Sequence, residues 1–363
     1  MRVFALPAEQ PPCRWGQAHG ENFRPLIQEL CAIRNALALE IGGFADLPAL
    51  HALAARHWPI LEAWSPALAE EMRGIAAGAD VLPEEILVLN HYTDLRDLGP
   101  ARRDLDGPDV AASEGCSLVY RRGPAGALLG QSWDMHASAI PYVLALKVPE
   151  TGHAPAAWVL SVVGCVGMAG LNSAGLGVTI NNLHSRDARI GLVWPALVRG
   201  LLCRHDFGAA RTALRQAPVG SGHHYFIAQG RHNLGLEFSG TRQAVVAEDV
   251  DCFVHTNHCL DAMIAARTHA RPESTSQARL DWLTPRVSPT APQNLAELWQ
   301  LLGSHDGYPR SVCTHLARPE QPHAPNTCGG IAMDLQQRHA WFAPGCLHHA
   351  RAHVVHLSPD ATP

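Results

Sequence analysis

Cys116, in the string SEGCSLVY (113–120), has the parts of an intramolecular acyl shift. A thiol directly after a glycine can attack the Gly115 carbonyl, because glycine leaves that carbonyl open and tolerates a strained backbone. Hydrolysis of the resulting thioester would free the α-amine of Cys116. That amine has an unperturbed pKa of ~7.7–8.0 and can take the proton of its own thiol with no histidine partner. By itself the string fits a buried thiol on an edge strand better, since Gly-Cys is a common dipeptide. The ten cysteines sit singly along the chain with no CxxC pair, the pattern of reduced, buried thiols.

Other chemistries have weaker signals. The 22 histidines raise the question of metal, and His255-Thr256-Asn257-His258-Cys259 groups two of them with a thiol. A strand sends His255 and His258 to opposite faces, however, and no HExxH motif is present, so no metal site is expected. His223-His224 and His348-His349 alternate in the same way and read as surface or pocket residues. The glycine-rich run GMAGLNSAGLG (167–177) has neither dinucleotide nor P-loop spacing and suits close backbone packing beside a pocket. Asn181 and Asn182 close a strand and fit a pocket wall or a turn equally well. Glu237, in an otherwise apolar strand, reads as a buried structural carboxylate. No cofactor is implied.

The net charge of −5 leaves no basic footprint, which argues against a nucleic-acid partner. No run approaches the ~20 apolar residues of a spanning helix, and the N-terminal apolar run is too short for a signal peptide. No membrane partner is expected, and with reduced thiols the reading is cytoplasmic.

Two textures flank Cys116. The first 110 or so residues read as helical: 21–43 and 46–78 carry apolar residues at three- and four-residue steps, and Leu82-Pro83-Glu84-Glu85 is a helix start. The charged stretch 94–115, with two Gly-Pro pairs, reads as an exposed loop. Beyond Cys116 come short strands: a hairpin over 116–134, then 142–148, 157–164, 175–183, 223–230, 234–240, 243–258, 329–345 and 353–358. Helices are expected at 194–205 and 207–217. The order predicts an α+β fold of antiparallel sheets covered by helices, not a parallel βαβ sheet.

The strings GCSLVYRRGPAGALLGQSWD (115–134), GCVGMAGLNSAGLGVTINNLH (164–184), NLGLEFS (233–239) and VHTNHC (254–259) together resemble the isopenicillin N acyltransferase family of N-terminal-nucleophile (Ntn) cysteine hydrolases, peptidase family C45. The resemblance implies a four-layer αββα sandwich and autocleavage between Gly115 and Cys116. The products would be a small helical chain, 1–115, and a larger β-rich chain, 116–363, held together as one domain. It implies Cys116 as nucleophile, Asp134 as an acid near the new amine, and Asn257 as an oxyanion-hole amide. Without the resemblance, Asp134 reads as a turn acid and Asn257 as a strand-edge turn residue. Ser117, Ser132, Trp133, Asn172, Asn181, His255 and His323 are pocket candidates. Ser132 replaces the Asn of the family's GQNWD, and Leu118 replaces a second polar residue two after the nucleophile. The arginine that the penicillin enzyme carries before its last strands finds Ala324, beside His323, in its place. That weakens a penicillin-type substrate, because a guanidinium clamps carboxylates in two-point fashion.

The expected activity is hydrolysis of a small N-acyl amide through a thioester, or transfer of its acyl group, with acyl-CoA as a co-substrate in the second case. A more specific alternative is a β-alanyl amide hydrolase of biogenic amines, a reaction known in the same broad family. An uncleaved, non-catalytic binding protein of the same fold is the rival from another class, and a histidine-based metal hydrolase is a third.

Overall fold

The computed structural model describes residues 1–101, 115–269, 274–321 and 323–357. The first segment holds β1 (Arg2–Ala5) and five helices, α1 (Pro12–Gly42), α2 (Leu47–Ala55), α3 (Trp58–Trp64), α4 (Pro66–Ala79) and α5 (Pro83–Leu98). Helix α5 begins as the sequence predicts: Pro83 opens it, and the Glu85 carboxylate accepts from the Leu82 N–H at 2.9 Å. Helices α1 and α4 meet backbone to backbone. A Cβ at Gly16 would fall 1.9 Å from the Glu71 carbonyl oxygen, and one at Gly78 2.3 Å from that of Gln17.

After residue 115 come β2 (Gly115–Gly123), β3 (Gly126–His136), β4 (Val143–Val148), β5 (Ala157–Val162), β6 (Ala169–Asn172) and β7 (Gly177–Asn182). Helices α6 (Trp194–Leu202) and α7 (Phe207–Gln216) follow, then β8 (His223–Gln229), β9 (His232–Phe238), β10 (Gln243–Glu248) and β11 (Cys252–His255). The chain closes with α8 (Ala262–Ala265), α9 (Ser276–Leu283), α10 (Leu295–Leu302), β12 (Pro325–Asp334), β13 (His339–Pro344) and β14 (His353–His356).

The strands form two sheets. The eight-stranded sheet runs β1-β4-β5-β6-β7-β8-β9-β10, and the six-stranded sheet runs β11-β2-β3-β12-β13-β14. Every strand pair is antiparallel except β1 with β4. The sheets face each other through β2 and β7; α6 and α7 cover the outer face of the larger sheet, and α9 and α10 cover that of the smaller. This is the α+β, αββα layering expected from the sequence. Alternation along β2 divides its side chains between two cores. Cys116, Leu118 and Tyr120 belong to the cluster between the sheets, and Val119 joins Leu283, Leu298 and Leu302 beneath the helices.

Three sequence expectations are corrected. The N-terminal segment is not purely helical, since β1 joins the larger sheet beside β4. Residues 94–98 are the last turn of α5, with Asp94, Arg96 and Asp97 all buried. Their charges are paired: Arg96 donates to Asp97 at 2.8 Å, and Asp94 meets His223 at 2.8 Å. Residues 102–114 of the expected loop lie outside the described residues, and Gly115 begins a strand. Finally, 243–258 is two strands in different sheets, divided near Asp249, whose φ of 52° breaks an extended run.

Candidate active site

The β2–β3 hairpin sets the geometry. Its register pairs Gly115 with Asp134, Cys116 with Trp133 and Ser117 with Ser132. Cys116 thus stands at the start of a central strand with its side chain between the sheets. Asp134 sits opposite Gly115, within reach of α9.

The Cys116 N–H donates to Asn257 Oδ1 at 2.7 Å. Its carbonyl accepts from Asn181 Nδ2 at 3.1 Å and from Arg279 Nη1 at 2.9 Å. Arg279 projects from α9 and is fully enclosed. It also donates to Ser117 Oγ at 2.9 Å and, through Nη2, to Asn257 Oδ1 at 2.9 Å. Thr327 on β12 donates to Asp134 Oδ1 at 2.7 Å. Behind Asn181, His224 Nδ1 meets Asn181 Oδ1 at 3.0 Å, and the His224 ring stacks on His255 at 3.7 Å between centroids.

These contacts orient the Asn257 amide. Cys116 N and Arg279 are donors and require oxygen, while the Asn182 carbonyl accepts from Nδ2 at 3.0 Å. Asn257 therefore addresses the nitrogen of the Gly115–Cys116 bond, and its expected oxyanion donor is engaged elsewhere.

Burial dominates the electrostatics. It pushes the Cys116 thiol up to about 12; the Asp134 carboxylate adds to this, while the Arg279 guanidinium and hydrogen bonds from Gln131 and the Asp134 backbone oppose it. Burial also raises the Asp134 carboxyl to about 6 against the pull of Arg279 and the Thr327 hydroxyl. Arg279 itself is lowered by burial, with Asp134 and Cys116 opposing. A buried thiol that is neutral at pH 7 needs a base to become a nucleophile, and Asp134 is the nearby acid that ionises in the neutral range.

Gly115 is required for space. A Cβ there would fall 2.8 Å from Asp134 Oδ2 and 3.3 Å from Arg279 Nη2. Gly115→Ala should push the carboxylate off its Thr327 bond and slow any chemistry at the 115–116 bond by at least ~10-fold, a displacement cost of ~1.4 kcal/mol. A time course of fragment formation measures this; wild-type kinetics in Gly115→Ala would refute the steric account.

Cys116, Gly115 and Asp134 border a narrow cavity walled mostly by apolar side chains, among them Trp133, Met135, Leu160, Met168, Ile180 and Trp194. Asn182 and His223 add polar edges. Of the pocket candidates, Trp133 lines this cavity and Ser117, Ser132 and Asn181 brace Cys116 and its neighbours, Ser132 by accepting from the Ser117 N–H at 3.2 Å. Three are corrected. Asn172 is consumed in a turn, donating to the Leu202 and Arg204 carbonyls at 2.9 and 2.8 Å. His255 is held in the core by Glu237 at 2.8 Å, which bears out Glu237 as a structural carboxylate. His323 meets Ser138 at 2.8 Å and is not among the cavity-lining residues.

Arg279 went unnoticed in the sequence. Ala324 stands where the resemblance would place an arginine before the last strands, but α9 delivers a guanidinium to Cys116 from another direction. Ser276, Arg279 and Leu283 are the buried positions of α9, spaced i, i+3 and i+7. An arginine in the apolar register of a short helix was the available signal.

Residues 121–343 match the family model described as acyl-coenzyme A:6-aminopenicillanic acid acyl-transferase. The chain is 30% identical over 254 residues to the acyl-coenzyme A:6-aminopenicillanic-acid-acyltransferase 40 kDa form of Emericella nidulans, covering 68% of this chain and 67% of that protein. Among solved structures it is similar to penicillin V acylase from Agrobacterium tumefaciens, at 13% identity and a TM-score of 0.38, covering 68% of this chain and 89% of that one. It is also similar to a mutant conjugated bile acid hydrolase from Clostridium perfringens, at 12% identity and a TM-score of 0.45, covering 67% and 92%.

Proposed function

The chain belongs to the acyl-coenzyme A:6-aminopenicillanic acid acyl-transferase family, and on that premise we propose a self-cleaving cysteine enzyme that transfers the acyl group of a small amide to water or an amine. The observation that carries this reading is Cys116 lining a mostly apolar cavity. Its backbone nitrogen rests on Asn257, and Asp134 and Arg279 stand beside it.

In processing, Asp134 takes the thiol proton and sulfur attacks the Gly115 carbonyl carbon. The C–N bond to Cys116 breaks, nitrogen takes up a proton, and a thioester joins Gly115 to the Cys116 sulfur. Water cleaves the thioester, releasing the Gly115 carboxylate and a free Cys116 amine. In turnover that amine takes the thiol proton as sulfur attacks the acyl carbonyl, and the proton leaves with the departing amine. Ionised Asp134 then supports the protonated amine. Asn257 serves as an oxyanion donor once Nδ2 turns from the Asn182 carbonyl to the substrate; a donor so placed contributes about 2.7–4 kcal/mol.

The cavity wall favours an apolar acyl group. A β-alanyl ammonium would sit among Leu160, Met168, Ile180 and Trp194 and compete with the Cys116 amine for Asp134, the carboxylate in the lining. Acyl-CoA is the acyl donor if an amine, not water, resolves the thioester. The test is acid quenching of the processed protein during turnover of apolar N-acyl amines, with and without acyl-CoA, followed by mass spectrometry. An acyl adduct on the fragment starting at Cys116 is expected. Absence of both adduct and turnover across the panel would sink the proposal.

A further inference from the structure

Four metal-binding side chains converge apart from the His255–His258 run, and His348 and His349 pack beside one of them, His305, with ring centroids 4.8 and 5.8 Å away. His305 follows α10, Cys313 and His315 lie in the irregular stretch before β12, and Cys346 follows β13. Their ligand atoms lie within 4.8 Å of one another. His305 Nε2 is 3.1 Å from His315 Nε2 and 3.4 Å from Cys346 Sγ. Cys313 Sγ is 3.5 Å from His315 Nε2 and 3.8 Å from Cys346 Sγ.

Those four separations match four of the six edges of a tetrahedron, and the other two are no longer than 4.8 Å. With Zn–S of about 2.3 Å and Zn–N of about 2.0–2.1 Å, ideal edges are about 3.8 Å for S···S, about 3.4 Å for N···N and about 3.6 Å for N···S. Hydrogen bonding accounts for the arrangement poorly. Two imidazole nitrogens and two thiols turned on one point have weak partners in one another, whereas a soft divalent cation satisfies all four.

We propose that His305, Cys313, His315 and Cys346 bind one zinc ion in a closed, structural site. With four protein ligands no position is left for a substrate, so the ion holds chain segments together and takes no part in amide chemistry. Both thiols bind as thiolates and both imidazoles as neutral rings, so uptake releases two protons to solvent with no redox change. His315 then carries its proton on Nδ1, the ring nitrogen turned away from the metal.

The site ties the stretch between α10 and β12 to the end of β13. The next residue after Cys313, Thr314, donates its N–H to Thr327 Oγ1 at 2.9 Å, and that hydroxyl donates to Asp134 Oδ1 at 2.7 Å. One residue before Cys346, the Gly345 N–H donates to the Cys328 carbonyl at 2.7 Å. The metal would thus fix the backbone that orients Asp134, although its presence does not depend on the proposed amide chemistry.

Metal analysis of the full chain, prepared without chelator and with zinc supplied, should find about one zinc per chain. The Cys313→Ser/Cys346→Ser pair should lose it, and Cys259→Ser should keep it. Cobalt exchange should give a thiolate-to-metal absorption band in the wild-type chain. Should the double variant fail to fold, X-ray absorption on the wild-type protein decides, with two sulfur and two nitrogen neighbours expected. No bound zinc, another ligand set such as His348 or His349, equal binding in the double variant, or a Cys313–Cys346 disulfide would each overturn the assignment.

Discussion

Cys116→Ala is expected to yield a single uncut chain, where the wild-type protein should separate under denaturing conditions into one fragment ending at Gly115 and another beginning at Cys116. The methyl group of alanine has no electron pair for the Gly115 carbonyl, and no other nucleophile occupies that point of β2. The loss should be complete on the scale of days, and normal cutting in the variant would move the reaction elsewhere. The pH dependence carries a second signature. Burial raises the Asp134 carboxyl to about 6, so processing should speed up as pH rises through that value and the carboxylate becomes able to take the thiol proton. The stability linkage has the opposite sign. A raised carboxyl favours the folded state fully below its ordinary value near 3.8, and that contribution is lost as pH rises through about 6. Asp134→Asn should abolish both dependences; a processing rate with an unchanged inflection would exclude Asp134 as the base.

Arg279→Met should be nearly as damaging by a different route. It removes the donors to the Cys116 carbonyl, Ser117 Oγ and Asn257 Oδ1 together, and takes away the cation that lowers Asp134. Without that cation Asp134 stays protonated to higher pH. Processing should fall by ~10²–10³-fold, the range for losing one pre-organised donor. Arg279→Lys retains the charge but not the fork and should fall between the two. The Arg279→Met/Asp134→Asn pair should regain stability relative to Arg279→Met, because the stranded acid is gone, while remaining unprocessed. Wild-type processing in Arg279→Met would show that the guanidinium only braces the fold.

The legible parts of the molecule were those written in local pattern. The hairpin over 116–134 was readable from alternation and its Gly-Pro-Ala-Gly turn, and that register brings Gly115 to Asp134. Helix α5 announced itself through Pro83 and two acids. Burial of charge was not legible. Asp94, Arg96 and Asp97 look like loop residues until His223 and the polar groups around Ser185 and Ser221 close over them; Asp97 Oδ2 accepts from the Ser185 N–H at 3.1 Å and from Ser221 Oγ at 2.8 Å. Arg279 was hidden for the same reason, and because α9 has only eight residues. The His305–Cys346 cluster was hidden by sequence distance, its ends lying 41 residues apart with no motif spacing. Among the described residues no single helix is long and apolar enough to cross a membrane.

If the 115–116 bond is cut as proposed, the pairing of β1 with β4 changes character. Val3 opposite Ala145 and Phe4 opposite Leu146, contacts within one chain, would become contacts between two. Unfolding then becomes dissociation, so the thermal midpoint of the processed protein should rise with its concentration while that of Cys116→Ala should not. Refolding becomes a second-order encounter between a helical fragment and a sheet lacking its edge strand. The cut would thereby convert a unimolecular folding problem into a bimolecular one, and the precursor would be the form in which the fold is reached.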